Sequence, residues 1–333
     1  MLKLKRSLRN LGRNVKDCLG ILIGLGIMCI LLMCMTDKFL TSSNLFNIIR
    51  QITINIFLAC GMTMVILLGG IDLSVGSVIA VSGCISAGMV TWLHLPVAAG
   101  ICIGLLCGVA IGAINGLIAS QTTIPPFIIT LATMNIGRGI ARLYTSAKTI
   151  AVLDPAYTFF GTGKIGEIPI QLLLIVLVVA VTSFILNRTK LGRGIYYVGD
   201  NEQAAKYAGL KVRKIRFFVF VFSGLLAAMA GVLSTARTFA ATMDMGISAE
   251  MDAIAAVVLG GTSMKGGRGT LMGTVIGAII IGVLNNGMNL LGINTSWQYV
   301  VQGVVILIAV YIDFIKNNGG LLKKIKGMRT KRV

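Results

Sequence analysis

The chain has 333 residues, of which 56% are hydrophobic and only 12% carry a charge. Soluble domains have about 25% charged residues, so this composition excludes a soluble globular protein and indicates a polytopic membrane protein. The formal net charge is +19, but the basic residues flank apolar runs, which favours membrane topology over nucleic-acid binding as their explanation. No metal site is expected, because the single histidine, His94, has no ligand cluster beside it in the sequence.

The basic residues predict how the chain lies in the membrane. Three segments, 1–16, 188–216 and 316–333, hold 21 of the 30 Lys and Arg residues. Because Lys and Arg near membrane spans stay on the cytoplasmic side, we expect both termini and the central loop to face the cytoplasm. Basic segments at 1–17 and 316–333 would then flank a single transmembrane domain over 18–315, with anionic lipid headgroups as natural contacts.

Ten apolar segments are candidate membrane spans, for which about 20 residues each are needed. They are 18–35, 51–69, 73–93, 97–119, 124–143, 169–187, 217–236, 252–262, 269–290 and 297–315. Six precede the central loop and four follow it, which returns the loop and the C-terminus to the side of the N-terminus. The first run lacks a small-residue cleavage site and is expected to stay as an uncleaved span. The sequence thus predicts an all-α membrane protein with about ten transmembrane helices, some short or broken.

Glycine pairs interrupt two of these segments. Gly69 and Gly70 precede a polar stretch that contains Asp72, and Gly260 and Gly261 end a short apolar run of similar sequence. In transporters, glycine-interrupted spans in corresponding positions often mark the substrate path, although glycine also allows helices to pack closely. We therefore take the two breaks as candidate path or gate residues.

Four ordered stretches resemble the permease subunits of bacterial ABC sugar importers, the ribose-type branch above all. They are Gly61–Ser77, Leu191–Leu210, Met251–Thr270 and Asn285–Gly292. The resemblance implies a multi-pass protein of the bacterial plasma membrane that imports a monosaccharide, ribose or a similar sugar, delivered by an extracytoplasmic binding protein. It also implies a separate cytoplasmic ATPase and a second permease copy around one pathway. The sequence has no Gly-x-x-x-x-Gly-Lys-Ser/Thr phosphate loop, so we expect a non-enzymatic subunit without a cofactor.

Two other interpretations of the function stay open at this point. The cargo of the same class of importer is either ribose or another compound, such as a galactose-like sugar, a quorum-sensing furanose or a nucleoside. An ion-coupled secondary transporter would need no ATPase but would be expected to carry paired ionisable residues at mid-span, for which Asp72 alone is thin support. A membrane enzyme would need a nucleophile and base or a metal cluster, and the sequence offers neither.

The sequence of the central loop predicts a short helix. Asp200 or Asn201 would be its N-cap, and Gly209 would end it. The resemblance implies that this is the coupling helix, which docks on the ATPase; an ordinary solvated loop is the alternative. Alanines give it a smooth face for packing, and Glu202 offers a charge. The candidate coupling residues are Asn201, Glu202, Gln203, Ala204, Ala205 and Gly209.

Polar residues inside the spans are candidates for the substrate path. Asp72, with Ser74, either caps the helix that follows or binds sugar hydroxyls, and we favour capping. Asn285, Asn286 and Asn289 lie close together in one span, where amides either hydrogen-bond between helices or line the sugar path.

The predicted outer side carries candidates for contact with the binding protein. Arg138 and Arg142 are four residues apart, so they either extend to the membrane interface or stabilise a loop that the binding protein contacts. Asp244 and Glu250 are acidic and could dock basic residues of that protein. Asp252 is expected to cap the short span at 252–262.

Overall fold

The computed structural model describes residues 21–329, which form helices and four short strands. The helices are α1 (Ile21–Met35), α2 (Ser42–Leu67), α3 (Val75–Thr91), α4 (Val97–Gln121), α5 (Pro126–Thr145), α6 (Pro155–Thr162), α7 (Ile170–Arg188), α8 (Lys190–Asp200), α9 (Glu202–Tyr207), α10 (Val212–Thr238), α11 (Ala249–Leu259), α12 (Leu271–Leu290) and α13 (Thr295–Arg329). The strands are β1 (Ile150–Ala151), β2 (Lys164–Ile165), β3 (Ile168–Pro169) and β4 (Ala240–Ala241). The predicted basic N-terminal segment, the start of the first predicted span and residues 330–333 lie outside the described residues.

The helical membrane architecture predicted from the sequence is confirmed. Each of the ten predicted segments overlaps a helix, although α11 has only 11 residues. Within the described part of the chain, six helices are long and apolar enough to cross a membrane: α2, α4, α7, α10, α12 and the first 21 residues of α13. The number of spans and the orientation of the termini stay predictions.

Helix α10 lies at the centre of the bundle and packs against α4, α3 and α2. Helix α4 approaches it closely because glycine recurs at every fourth position along one face. A Cβ atom on Gly108 would lie 2.5 Å from the carbonyl oxygen of Gly224 on α10, so any side chain there would push the two helices apart. This is the close packing that small residues allow between helices in membranes.

Helices α4 and α7 turn wholly apolar side chains outward along the middle of their length. Leu106 and Ile114 of α4 and Val176 and Leu177 of α7 are all exposed. Such surfaces suit contact with hydrocarbon, where a polar side chain would be costly.

The two ends of the bundle differ in structure. At one end, β1 and β4 pair antiparallel, with Ile150 opposite Ala241, and the rings of Trp92 and Tyr144 lie 5.3 Å apart. At the other end, α8 and α9 form a compact unit between α7 and α10. Helix α8 was not predicted as a separate element.

Candidate functional site

A helix ends just before each glycine pair, where the sequence predicts an interruption. Helix α2 ends at Leu67, and Gly69 then adopts a φ of +78°. Helix α11 ends at Leu259, and Gly261 adopts a φ of +85°. Glycine adopts this left-handed conformation without the strain that a Cβ atom would cause, so each glycine pair allows a sharp turn directly after a helix.

The first break meets the loop that follows the second break, and the C-terminal end of α8 packs against both. The Gly267 N–H donates to the carbonyl oxygen of Leu67 at 2.9 Å, which joins this loop to the first break. A Cβ on Gly199 of α8 would collide with that same oxygen and would lie 2.7 Å from the Gly267 nitrogen. The Tyr196 hydroxyl donates to the Gly269 carbonyl oxygen at 3.2 Å. A displacement of α8 would therefore disturb the end of α2 at the first break and the loop that follows the second break. We call Leu67, Tyr196, Gly199, Gly267 and Gly269 the joint.

Asp72 is buried just after the first break and hydrogen-bonds to residues of the protein interior. Its Oδ1 accepts hydrogen bonds from the backbone N–H of Ser74 at 3.0 Å and from the Ser74 hydroxyl at 2.6 Å. Its Oδ2 accepts from the Ser223 hydroxyl of α10 at 2.8 Å, and Asn115 of α4 donates to the Ser74 Oγ at 2.9 Å. Both carboxylate oxygens are occupied within the chain, so the geometry favours the structural interpretation of Asp72, at the start of α3, over sugar binding.

The short helix predicted in the central loop is present as α9. The Asn201 side chain accepts from the Ala204 N–H at 2.9 Å and caps the helix, and Gly209 ends it with a φ of +80°. Ala205 is buried against the chain itself, whereas Gln203 and Ala204 face outward. One face therefore anchors α9 and the other is open to a partner.

Glu202 forms two ion pairs within the chain. Its Oε1 lies 2.7 Å from Lys206 Nζ and its Oε2 lies 2.8 Å from an Arg216 guanidinium nitrogen. The hydrogen bond from Lys206, together with the Arg216 charge, lowers the pKa of the Glu202 carboxyl despite its partial burial. Arg216 also donates to the Ala119 carbonyl oxygen at 3.0 Å, so Glu202 connects α9 with α10 and the end of α4.

Tyr207, at the end of α9, is a feature that the sequence reasoning missed. Its side chain is 90% exposed. Large aromatic side chains are favoured anchors in protein interfaces. A lone aromatic residue in a short polar helix between two spans is the signal that could have revealed it.

A cleft of about 1030 Å³ separates α9 from the connection between α4 and α5. Its lining extends from the first break, at Gly69 and Gly70, to Lys206 and Arg216 beside α9. Two coupling candidates, Glu202 and Gln203, therefore share one cavity with the gate candidates Gly69 and Gly70.

The asparagines of α12 bind other helices. Asn286 and Asn44 of α2 exchange two amide hydrogen bonds of 2.9 and 3.1 Å. Asn285 donates to Asp252 of α11 at 2.9 Å. Asn289 is exposed and accepts from Gln298 of α13 at 2.8 Å. The contacts favour hydrogen bonding between helices for Asn285 and Asn286.

The predicted capping role of Asp252 is wrong. Helix α11 begins at Ala249, three residues earlier than expected, and Ser248 is its N-cap. Asp252 therefore lies inside the helix, where its carboxylate accepts the hydrogen bond from Asn285.

The two arginines near the end of α5 hold the segment between β4 and α11. Arg138 donates to the carbonyl oxygens of Met243 at 3.2 Å and Met245 at 2.6 Å, and Arg142 Nε lies 3.4 Å from the Met243 sulfur. Among the acidic residues proposed for docking, Asp244 is exposed on this segment and Glu250 is buried. The arginines stabilise the loop, which presents Asp244 at the surface.

Comparison with known proteins identifies the class of this membrane protein. The family model described as the permease component of the branched-chain amino acid transport system matches residues 44–310. The chain is 46% identical over 302 residues to the ribose import permease protein RbsC of Bacillus subtilis, covering 90% of this chain and 94% of that protein. It is 41% identical over 296 residues to RbsC of Escherichia coli K12, covering 88% and 92%.

A further relative is named as an import permease for a different sugar. The galactose/methyl galactoside import permease protein MglC of Escherichia coli K12 is 34% identical over 315 residues, covering 89% of this chain and 94% of that protein. The chain therefore belongs to the family of permease subunits of bacterial ABC importers, in the branch that contains the ribose import permeases.

Proposed function

We propose that this chain is the transmembrane permease subunit of an ATP-driven importer for a monosaccharide, ribose or a similar sugar, in the bacterial inner membrane. The observation that carries the mechanism is the joint, where α8 contacts the first glycine break and the loop that follows the second. A movement imposed on α9 from outside reaches the breaks through α8, because packed helices move as rigid units. This is the coupling that alternating access needs.

The ends of the bundle have different partners in this proposal. The 188–216 region, rich in Lys and Arg, lies in the cytoplasm, and the exposed side of α9, with Gln203, Ala204 and Tyr207, docks on a separate ATPase. The opposite end, where Arg138 and Arg142 hold the loop that carries Asp244, receives the sugar-binding protein. The N- and C-terminal basic segments are cytoplasmic, ten spans cross the membrane, and two copies of the chain pair around one pathway.

The names of the relatives support a sugar as cargo. Two are ribose import permeases at 46% and 41% identity, and the galactose relative is more distant at 34%. The description of the family model names branched-chain amino acids instead, so an amino acid is the comparison that a cargo test must include.

The cargo is tested with the full transporter in proteoliposomes, with a candidate ATPase subunit and a candidate sugar-binding protein. ATP hydrolysis is measured with ribose, galactose, a nucleoside or leucine present. We expect ribose to stimulate hydrolysis most strongly, and only when the binding protein is present. Stimulation by galactose or a nucleoside alone would overturn ribose and keep the importer class, whereas stimulation by leucine alone would contradict a sugar cargo.

A further inference from the structure

Helix α5 differs from the other long helices in its outward face. Asn135 is exposed near the centre of the helix, roughly 14 Å from either end at 1.5 Å per residue. Its amide makes one hydrogen bond, from Nδ2 to the Leu131 carbonyl oxygen of its own helix at 3.1 Å. Helix α4 presents Ala110 and other apolar side chains near its own centre. An amide in hydrocarbon would be costly, so Asn135 itself does not suit contact with lipid, whereas its exposed neighbours Leu131 and Ile136 are apolar.

The residues around Asn135 leave open space beside the amide. Ala132 and Gly139 lie on the same face of α5, three residues before and four residues after it, and both are exposed. A Cβ atom on Gly139 would meet no other atom within 4 Å. The strip therefore has room for a molecule to pass against it, and the amide offers both a donor and an acceptor there.

The strip lies between a contact with the first break and a contact with the loop that carries Asp244. At one end, Thr130 of α5 accepts from the Leu73 N–H at 3.1 Å and donates to the Ile71 carbonyl oxygen at 3.1 Å, which fixes α5 to the first glycine break. At the other end, Arg138 holds the loop that carries Asp244. A molecule that follows α5 would thus move from the outer loop to the break.

We propose that the strip formed by Ala132, Asn135 and Gly139 lines the sugar path, and that the Asn135 amide hydrogen-bonds hydroxyl groups of the passing monosaccharide. The strip faces its counterpart on a second copy of the chain, with water and sugar between them. This inference deepens the proposed function and rests on it for the identity of the cargo, but the water-filled strip can be tested without a cargo.

The first test measures access to water. Asn135→Cys and Ala110→Cys are each made in the full chain, assembled with the ATPase in proteoliposomes, and reacted with a membrane-impermeant, charged methanethiosulfonate. The parent chain gives the background from the native cysteines. We expect Asn135→Cys to react about tenfold faster than Ala110→Cys, because only a hydrated thiol ionises readily. Equal, slow reaction at both positions would overturn the strip as a water-filled path, whatever the cargo is.

The second test measures the contact with sugar. We expect Asn135→Leu to lower ATP-dependent sugar uptake about fivefold or more, the effect of one lost hydrogen bond, while Asn135→Ser retains part of the activity. Ala110→Leu, the matched change on α4, is expected to leave uptake unchanged. Unchanged uptake by Asn135→Leu in a transporter that imports the sugar would overturn the contact. If the parent transporter imports no sugar at all, the proposed function fails, and the labelling result still decides the path.

Discussion

Asp72 illustrates at the residue scale how one buried carboxylate fixes a broken helix. It accepts three hydrogen bonds from Ser74 and Ser223, so removing it leaves three buried donors without their acceptor. The sequence predicted the residue and its place before α3, but it could not reveal Ser223, which lies 151 positions away. Only the packing of α10 against the break brings the two together.

We predict that Asp72→Ala lowers the free energy of unfolding by about 3 kcal/mol, because buried donors without a partner are costly. The measurement is thermal unfolding of the purified protein in detergent, with a fall in Tm of about 4 °C. Asp37→Ala, at an exposed acidic residue, serves as the control and should leave Tm unchanged. Equal Tm values for the two variants would contradict the role assigned to Asp72.

Glu202 gives a pH-dependent prediction. Its hydrogen bond with Lys206 and the Arg216 charge lower its pKa in the folded state, so its contribution to stability is full above the unfolded pKa of about 4.3 and is lost as pH falls through the folded value. Glu202→Gln lacks this contribution. We expect a Tm deficit of about 1 °C at neutral pH, as for a partly exposed ion pair, which disappears in strong acid. A deficit that persists unchanged at low pH would contradict the assignment.

At the scale of elements, the apolar runs predicted the long helices, because lipid requires continuous apolar segments of a fixed length. Helix α8 escaped prediction since Gly192, Gly194 and Gly199 favour a loop when judged locally. Its helical state depends on tertiary contacts, above all on the joint. The start of α11 was missed for a similar reason, because Ser248 begins the helix in a left-handed conformation that is unusual for serine.

We predict that Gly199→Ala separates ATP hydrolysis from transport. The added methyl group would collide with the Leu67 carbonyl oxygen, which forces α8 away from the first break and the loop after the second while α9 stays exposed for docking. Sugar uptake in proteoliposomes should fall about tenfold, whereas basal ATP hydrolysis by the assembled transporter continues. Gly303→Ala on α13, where a Cβ atom would meet nothing within 4 Å, is the control and should transport normally. Normal uptake by Gly199→Ala would exclude the joint as the coupling route.

At the scale of the whole molecule, the glycine breaks, the cleft and the coupling unit lie at one end, and the arginine-held loop lies at the other. The basic clusters predicted that the coupling loop lies on one side of the membrane, because Lys and Arg near membrane spans stay on the cytoplasmic side. The sequence could not predict that the first break touches the loop after the second, since Leu67 and Gly267 are far apart in the chain and meet only through the fold. The sequence could not predict the polar strip on α5 for the same reason, because the exposure of Asn135 depends on which helices pack against α5.

The measurement that tests the account most directly is uptake of labelled ribose into proteoliposomes that hold this chain, its ATPase and its binding protein, with each component omitted in turn. A variant with a Gly/Ser linker in place of Glu202, Gln203, Ala204 and Ala205 is assayed beside the parent. The account predicts ATP-dependent uptake that needs all three components and is lost with the linker. Uptake by this chain alone under an ion gradient, indifferent to ATP, would contradict it.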